Sequence, residues 1–281
     1  MITINIIGAG RVGKTLAKLI TIHGAGKIEG VCNTSWSSSV EAIRFIGQGT
    51  PCAEIKNLPA VDVTLITTPD NVIQNCCDEL TVGNLKPRSI VMHCSGVLPS
   101  QILQSAKNRG CFLASVHPMR SFVDPDRSVL DYKGTFCAIE GDDEAKILLQ
   151  RLFHQIGAIT HVVSTEKKES YHVAGVFASN YLVTLFEKAF QGLRDAEINN
   201  ETAIEIILTL MQSTLNNIKA TRSALHSLTG PIKRGDVETI IKHVEAISDS
   251  KLYREIGLAT LEIADLPEKT KKKIKDILTV D

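Results

Sequence analysis

The chain has 281 residues, 43% hydrophobic and 22% charged, with 31 Lys plus Arg against 31 Asp plus Glu. That balance is ordinary for a globular protein and offers no basic surplus for holding nucleic acid or an anionic membrane. Seven cysteines, at 32, 52, 76, 77, 94, 111 and 137, are odd in number and form no Cys-x-x-Cys pair, which argues against a disulfide framework or a structural zinc and for a reducing compartment.

The first predicted strand, 2–7, runs directly into Gly8-Ala9-Gly10-Arg11-Val12-Gly13 and then into a helix over 11–22. A dinucleotide site needs this order. Gly8 makes the tight turn, Gly10 lets backbone approach a pyrophosphate, Gly13 lets the helix pack on the sheet, and the N–H groups from Arg11 and Val12 onward face the phosphates. A second strand, 28–33, ends where an NAD site usually offers an acid to the ribose, about 20 residues after the fingerprint. Here Asn33, Thr34 and Ser35 stand in its place. With no carboxylate to repel a 2′-phosphate, NADP is expected over NAD, with Arg11 and Arg44 as candidate phosphate cations.

Further strands are expected at 62–67, 89–93, 111–116, 136–140 and 159–163, with helices near 39–47, 70–81, 99–108 and 143–156. This alternation predicts a doubly wound parallel α/β sheet. Beyond Thr165 it stops. Glu166 to Leu193 reads as one long, largely apolar helix, followed by helices over 200–220, 236–247, 249–264 and 267–278. His172, Ser179, Asn180, Glu187 and Lys188 interrupt the long helix, so it is no membrane span, and its apolar surface predicts burial against other helices or a second subunit. The organisation expected is a Rossmann NAD(P)-binding domain over 1–164 and an all-helical substrate and dimerisation domain over 165–281, with the substrate in the cleft between them. The basic run 269–275 reads as the solvated face of a terminal helix. The first strand leaves no room for a signal peptide and no 18-residue apolar span occurs, so a cytoplasmic protein is expected, without nucleic-acid or membrane partners.

Three strand ends deliver polar residues to the carboxyl edge of the sheet, where open α/β sheets bind ligands. Thr68 and Pro69 are candidate cofactor contacts, and Asp70 is a candidate helix cap. His93 and Ser95, in His93-Cys94-Ser95-Gly96, are candidates for the nicotinamide or substrate, with Gly96 permitting close approach of backbone. His117 can manage a proton near neutral pH. On the long helix, His172, Val176 and Ser179 or Asn180 share a stripe, and inward polar groups on an apolar helix need partners. Arg234, in Thr229-Gly230-Pro231-Ile232-Lys233-Arg234-Gly235-Asp236, can clamp a carboxylate from a short loop, with Asp236 capping the next helix. No metal site is expected.

The glycine turn, Thr68-Pro69-Asp70, His93 to Gly96, His117-Pro118, Tyr171 to Asn180 and above all the 229–236 motif resemble a family of uncharacterised Rossmann-like NADP oxidoreductases whose helical second half is a domain of unknown function. More distantly the chain is similar to pyrroline-5-carboxylate reductase, ketopantoate reductase and the 6-phosphogluconate dehydrogenase group. The resemblance implies the fold and the cofactor and leaves the substrate open; the function expected is hydride transfer between NADPH and a small carbonyl or imine compound with an anionic group, with His172, His117, Asn180, Arg234 and Ser95 serving the chemistry. A non-catalytic dinucleotide sensor is the alternative. Several dehydrogenases of the wider group carry a lysine one turn before the asparagine of the long helix, where this chain has Val176 before Asn180. Either His172 substitutes for it, or the substrate is an imine, which arrives already protonated.

Overall fold

In the computed structural model, which describes residues 1–279, eight strands form one sheet. They are β1 (Thr3–Ile7), β2 (Lys27–Cys32), β3 (Thr50–Cys52), β4 (Val63–Ile66), β5 (Ile90–His93), β6 (Phe112–Pro118), β7 (Phe136–Gly141) and β8 (Ile159–Val162), in the order β3-β2-β1-β4-β5-β6-β7-β8. The expected parallel sheet forms with one exception, the antiparallel pairing of β6 with β7. The segment joining those strands holds a single short helix, Pro125–Leu130, too little for the crossover that a parallel return needs. The three-residue edge strand β3, which contains Pro51, carried no periodic signal and was not expected.

The central strands are apolar on both faces because helices cover both. Ile4, Ile6, Val63 and Leu65 meet α1 (Arg11–Ile22) and α2 (Trp36–Ile46) on one side. Ile7, Ile66 and Val91 meet α3 (Ile73–Val82) and α4 (Gln104–Lys107) on the other. α5 (Pro125–Leu130) and α6 (Asp143–Gln155) complete these layers. α2 starts three residues before the expected 39, since Ser35 caps it by accepting the Ser38 N–H.

The chain divides into two compact units, Met1–Val183 and the remainder from Thr184. This boundary lies beyond the expected 164/165 junction, although the sheet itself does end at Val162. The next helix, α7 (Lys168–Gly175), stays with the first unit because the Lys168 side chain is buried into the sheet's end. A π-helical turn over Val176–Asn180 then leads into α8 (Tyr181–Asp195). Across this wider turn His172, Val176 and Ser179 of the expected stripe are half-buried, while Asn180 is exposed. Such turns recur at functional sites.

The second unit holds most of α8, then α9 (Asn200–Thr221), α10 (Ala224–Ser227), α11 (Pro231–Arg234), α12 (Val237–Ala246), α13 (Lys251–Ile263) and α14 (Glu268–Thr279). Its core is Ile232, Ile240, Leu261, Ala264, Ile274 and Leu278. Asp236 caps α12 through the Thr239 N–H, as expected, and α14 buries Ile274 and Leu278 while Lys272, Lys273 and Lys275 are exposed. Within the expected long helix, α8 has no buried residue. Among the described residues no helix is long and apolar enough to cross a membrane.

Candidate active site

The glycine turn has the geometry its sequence requires. Gly8 adopts φ +81°, and a Cβ there would lie 2.5 Å from Thr68 Cγ2 and 2.9 Å from Thr68 N, so Thr68 packs on the turn itself. Gly13 is closed off by Thr67, whose hydroxyl donates to the Gly8 carbonyl at 2.8 Å and would stand 2.4 Å from a Cβ on Gly13. Gly10 differs. A Cβ there would meet only the Gly8 carbonyl, at 4.0 Å, and no side chain caps the helix that begins at Arg11. The turn is held to the end of β2 by Asn33, whose Oδ1 accepts the Ala9 N–H at 2.6 Å while its Nδ2 donates to the Ser38 carbonyl. Thr34 is exposed, Ser35 serves as the cap, and Arg11 and Arg44 are exposed.

The second constellation stands at the carboxyl ends of β5 and β6. His93 is fully buried, its Nε2–H donating to the Pro99 carbonyl at 3.2 Å and its Nδ1 accepting the Ser95 N–H at 3.1 Å. Burial, then the charge of Lys168, push its pKa down to about 3. The Ser95 hydroxyl donates to Asp70 Oδ2 at 2.8 Å and accepts the Val97 and Leu98 N–H groups. One donor and two lone pairs are then all engaged. His93 and Ser95, expected at a ligand, have their polar atoms committed to the turn between them. Asp70, expected as a cap, holds Ser95 instead, and Pro69 occupies the capping position.

The turn ends on Gly96, and the space a Cβ would fill is taken by two imidazoles. That Cβ would lie 2.2 Å from His172 Nδ1 and 2.9 Å from His117 Cε1. The close approach at Gly96 thus serves the histidines. Their rings sit edge to face, centroids 5.3 Å apart, and the Tyr171 ring lies 6.4 Å from His117 and 5.3 Å from His161. His117 Nδ1 is 3.1 Å from the Cys94 carbonyl, which only accepts, so the proton is on Nδ1 and the Nε2 lone pair is free. Burial lowers the pKa of His117, and the neighbouring His172 and Lys168 add to the shift. It is therefore neutral at physiological pH. His172 Nδ1 is buried against Gly96 with no hydrogen-bond partner.

Sequence reasoning missed Lys168 and Glu140. Lys168, one turn before His172 on α7, is 2% exposed. Its ammonium donates to the Leu98 carbonyl, to Ser115 Oγ at 2.5 Å and to Glu140 Oε1 at 3.4 Å. Burial lowers its pKa, against the pull of Glu140. A lysine in the first turn of a helix normally reads as solvated. The available signal was its i, i+4 spacing from His172, which places both on one face. In the second unit, Arg234 ends α11 with its side chain 65% exposed and 3.9 Å from Asp236.

Residues 1–118 match the Rossmann-like domain, and residues 135–260 match a domain of unknown function, DUF2520. No curated protein matches the chain in sequence. Among solved structures, protein TM1727 from Thermotoga maritima is 26% identical, with 93% of this chain and 98% of that one covered and a TM-score of 0.71. The Bacteroides fragilis protein BF3122, provisionally assigned as an NADP oxidoreductase, is 20% identical over the same shares, with a TM-score of 0.78. The 1-pyrroline-5-carboxylate reductase of Streptococcus pyogenes is 14% identical over 98% of both chains, with a TM-score of 0.65. The last two likenesses establish a shared fold.

Proposed function

We propose that this chain, a Rossmann-like domain joined to a DUF2520 domain, is an NADP-dependent oxidoreductase acting on the C=N or C=O bond of a small molecule that bears an anionic group. The observation that carries this reading is the meeting of His117 and His172 over Gly96 at the carboxyl edge of the sheet, where ligands of open α/β folds bind. The glycine turn fits the dinucleotide: Gly10 is unobstructed, and the uncapped start of α1 leaves the N–H groups of Arg11, Val12 and Gly13 to hold a pyrophosphate. The missing carboxylate after β2, the exposed Thr34 and the exposed Arg11 and Arg44 favour a 2′-phosphate, hence NADP. When bound, the nicotinamide supplies or accepts the hydride.

The protein's part is to orient the substrate and handle its proton. A neutral His117 accepts a proton at Nε2 in the oxidative direction and is a weak acid in the reductive one. This suits an imine, whose nitrogen is already protonated, and the fold likeness to pyrroline-5-carboxylate reductase points the same way. His172 packs edge to face on His117 beside that proton. Arg234, 65% exposed at the end of α11 in the second unit, is available to hold an anionic group there. The exposed apolar residues of α9, Ile206, Leu208, Leu210, Leu215 and Ile218, support a homodimer through the helical domain, which sedimentation equilibrium reads directly.

His172→Ala is expected to lower kcat of NADPH-dependent imine reduction by about 10²–10⁴-fold while the dissociation constant of NADPH stays within about twofold. In the oxidative direction, the limb of the pH profile that reports His117 should fall below the ordinary histidine value of about 6.5. Equal losses in turnover and NADPH affinity would reject these roles. NADPH binding without turnover of any imine or keto acid would favour a dinucleotide sensor.

A further inference from the structure

Lys168 takes no part in the proposed chemistry, yet its ammonium joins every element that builds the histidine site. It begins α7, one turn before His172. Its acceptor Leu98 ends the turn that contains Gly96, and its acceptor Ser115 lies on β6 two residues before His117. Ser115 also donates to the Ser95 carbonyl, at 3.4 Å. Its third partner, Glu140, is 3% exposed and on β7. Glu140 is itself locked by Ser100 N at 2.7 Å, Ser100 Oγ at 2.8 Å and Thr165 Oγ1 at 3.3 Å. Each ammonium proton has an acceptor on a different segment, and burial leaves no path by which the lysine reaches a ligand.

We infer that Lys168 is a positioning residue for the candidate active site: anchored in the Leu98, Ser115 and Glu140 cage, it sets where α7 meets the 93–98 turn and so presses His172 against Gly96 and His117. Isolated charges are costly to bury, and the best-attested return for a buried ion pair is a single register between packed elements. Here the register concerns one turn of helix, because Lys168 and His172 share a face. The same charge faces His117, together with His172 on α7 and Asp70 beyond β4, while the Cys94 carbonyl holds its Nδ1 proton. The cage thus fixes the place of the second imidazole and adds to the downward shift that burial gives the first.

This inference rests on the proposed role of the two histidines, and nuclear magnetic resonance of the full chain tests it without turnover. In the double variant Lys168→Met, Glu140→Gln both charges leave together, so no buried ion is orphaned. The Gly96 amide should lose the ring-current shift it takes from His172, and the His117 titration midpoint should rise. NADPH should bind within about twofold of wild type. A folded double variant with both signals at their wild-type positions overturns the proposal. If that variant does not fold, Ser115→Ala, which leaves the ammonium two of its three partners, should move the Gly96 amide signal less far in the same direction, and its constancy overturns the proposal equally. His172→Ala that retained full turnover would reject the catalytic reading and leave the resonance result standing, so the two fail separately.

Discussion

Glu140→Ala is expected to lower the free energy of unfolding by about 3–5 kcal/mol, the usual cost of removing one partner of a buried ion pair. The physical cause is the ion left behind. Lys168 keeps the Leu98 carbonyl and Ser115 Oγ but loses its counter-charge, while the Ser100 N–H and Oγ and the Thr165 hydroxyl lose their acceptor. Each orphaned buried donor adds its own desolvation penalty. Because burial already lowers the Lys168 pKa, the variant can shed the ammonium proton, so its deficit should shrink as pH rises. Chemical denaturation should show a lower midpoint with an unchanged slope. A loss under about 1 kcal/mol would mean that the pair is not dry, against its 2–3% exposure.

Acid should destabilise the protein through His93, by up to about 1.4 kcal/mol per pH unit between roughly pH 6.5 and 3. His93 has its folded pKa lowered to about 3, so through this window the unfolded chain binds the proton that the native state refuses. The contribution is complete above the unfolded value and is lost as pH falls towards the folded one. The refusal is structural: Nδ1 must stay unprotonated to accept the Ser95 N–H, and the ring is fully buried. The lowered His117 adds a term of the same sign. His93→Gln removes the titrating group, so wild type should lose about 2–3 kcal/mol more than this variant between pH 7 and 4.5. Parallel stability profiles would contradict the assignment.

The parts of this molecule legible in the sequence are those governed by local rules. A β-branched run followed by Gly8, Gly10 and Gly13 specifies a strand, a turn and a helix through sterics alone, and α1 spans Arg11–Ile22 as expected. The Asp236 cap followed from side-chain reach of three residues. What stayed hidden depends on distant partners. The burial of Lys168 needs Leu98, Ser115 and Glu140, which lie 70, 53 and 28 residues away in the chain. His93 and Ser95 looked like ligand contacts because their strand-end position is right. Their bonds to Pro99 and Asp70 are fixed only once the turn has folded. The π-turn over Val176–Asn180 has no sequence rule, and across it Asn180 comes to lie exposed while Ser179 stays half-buried.

Binding of NADPH by the Gly8 to Gly13 turn is read by titration followed through nicotinamide fluorescence. Wild type should bind NADPH with micromolar affinity and NADH more weakly. Gly10→Ala, whose new methyl meets open space within the protein, should keep its stability while losing about tenfold or more in NADPH affinity, since the methyl stands where the pyrophosphate approaches. Failure of the wild-type protein to bind either nucleotide, or Gly10→Ala binding as tightly as wild type, would rule out this turn as the NADPH site.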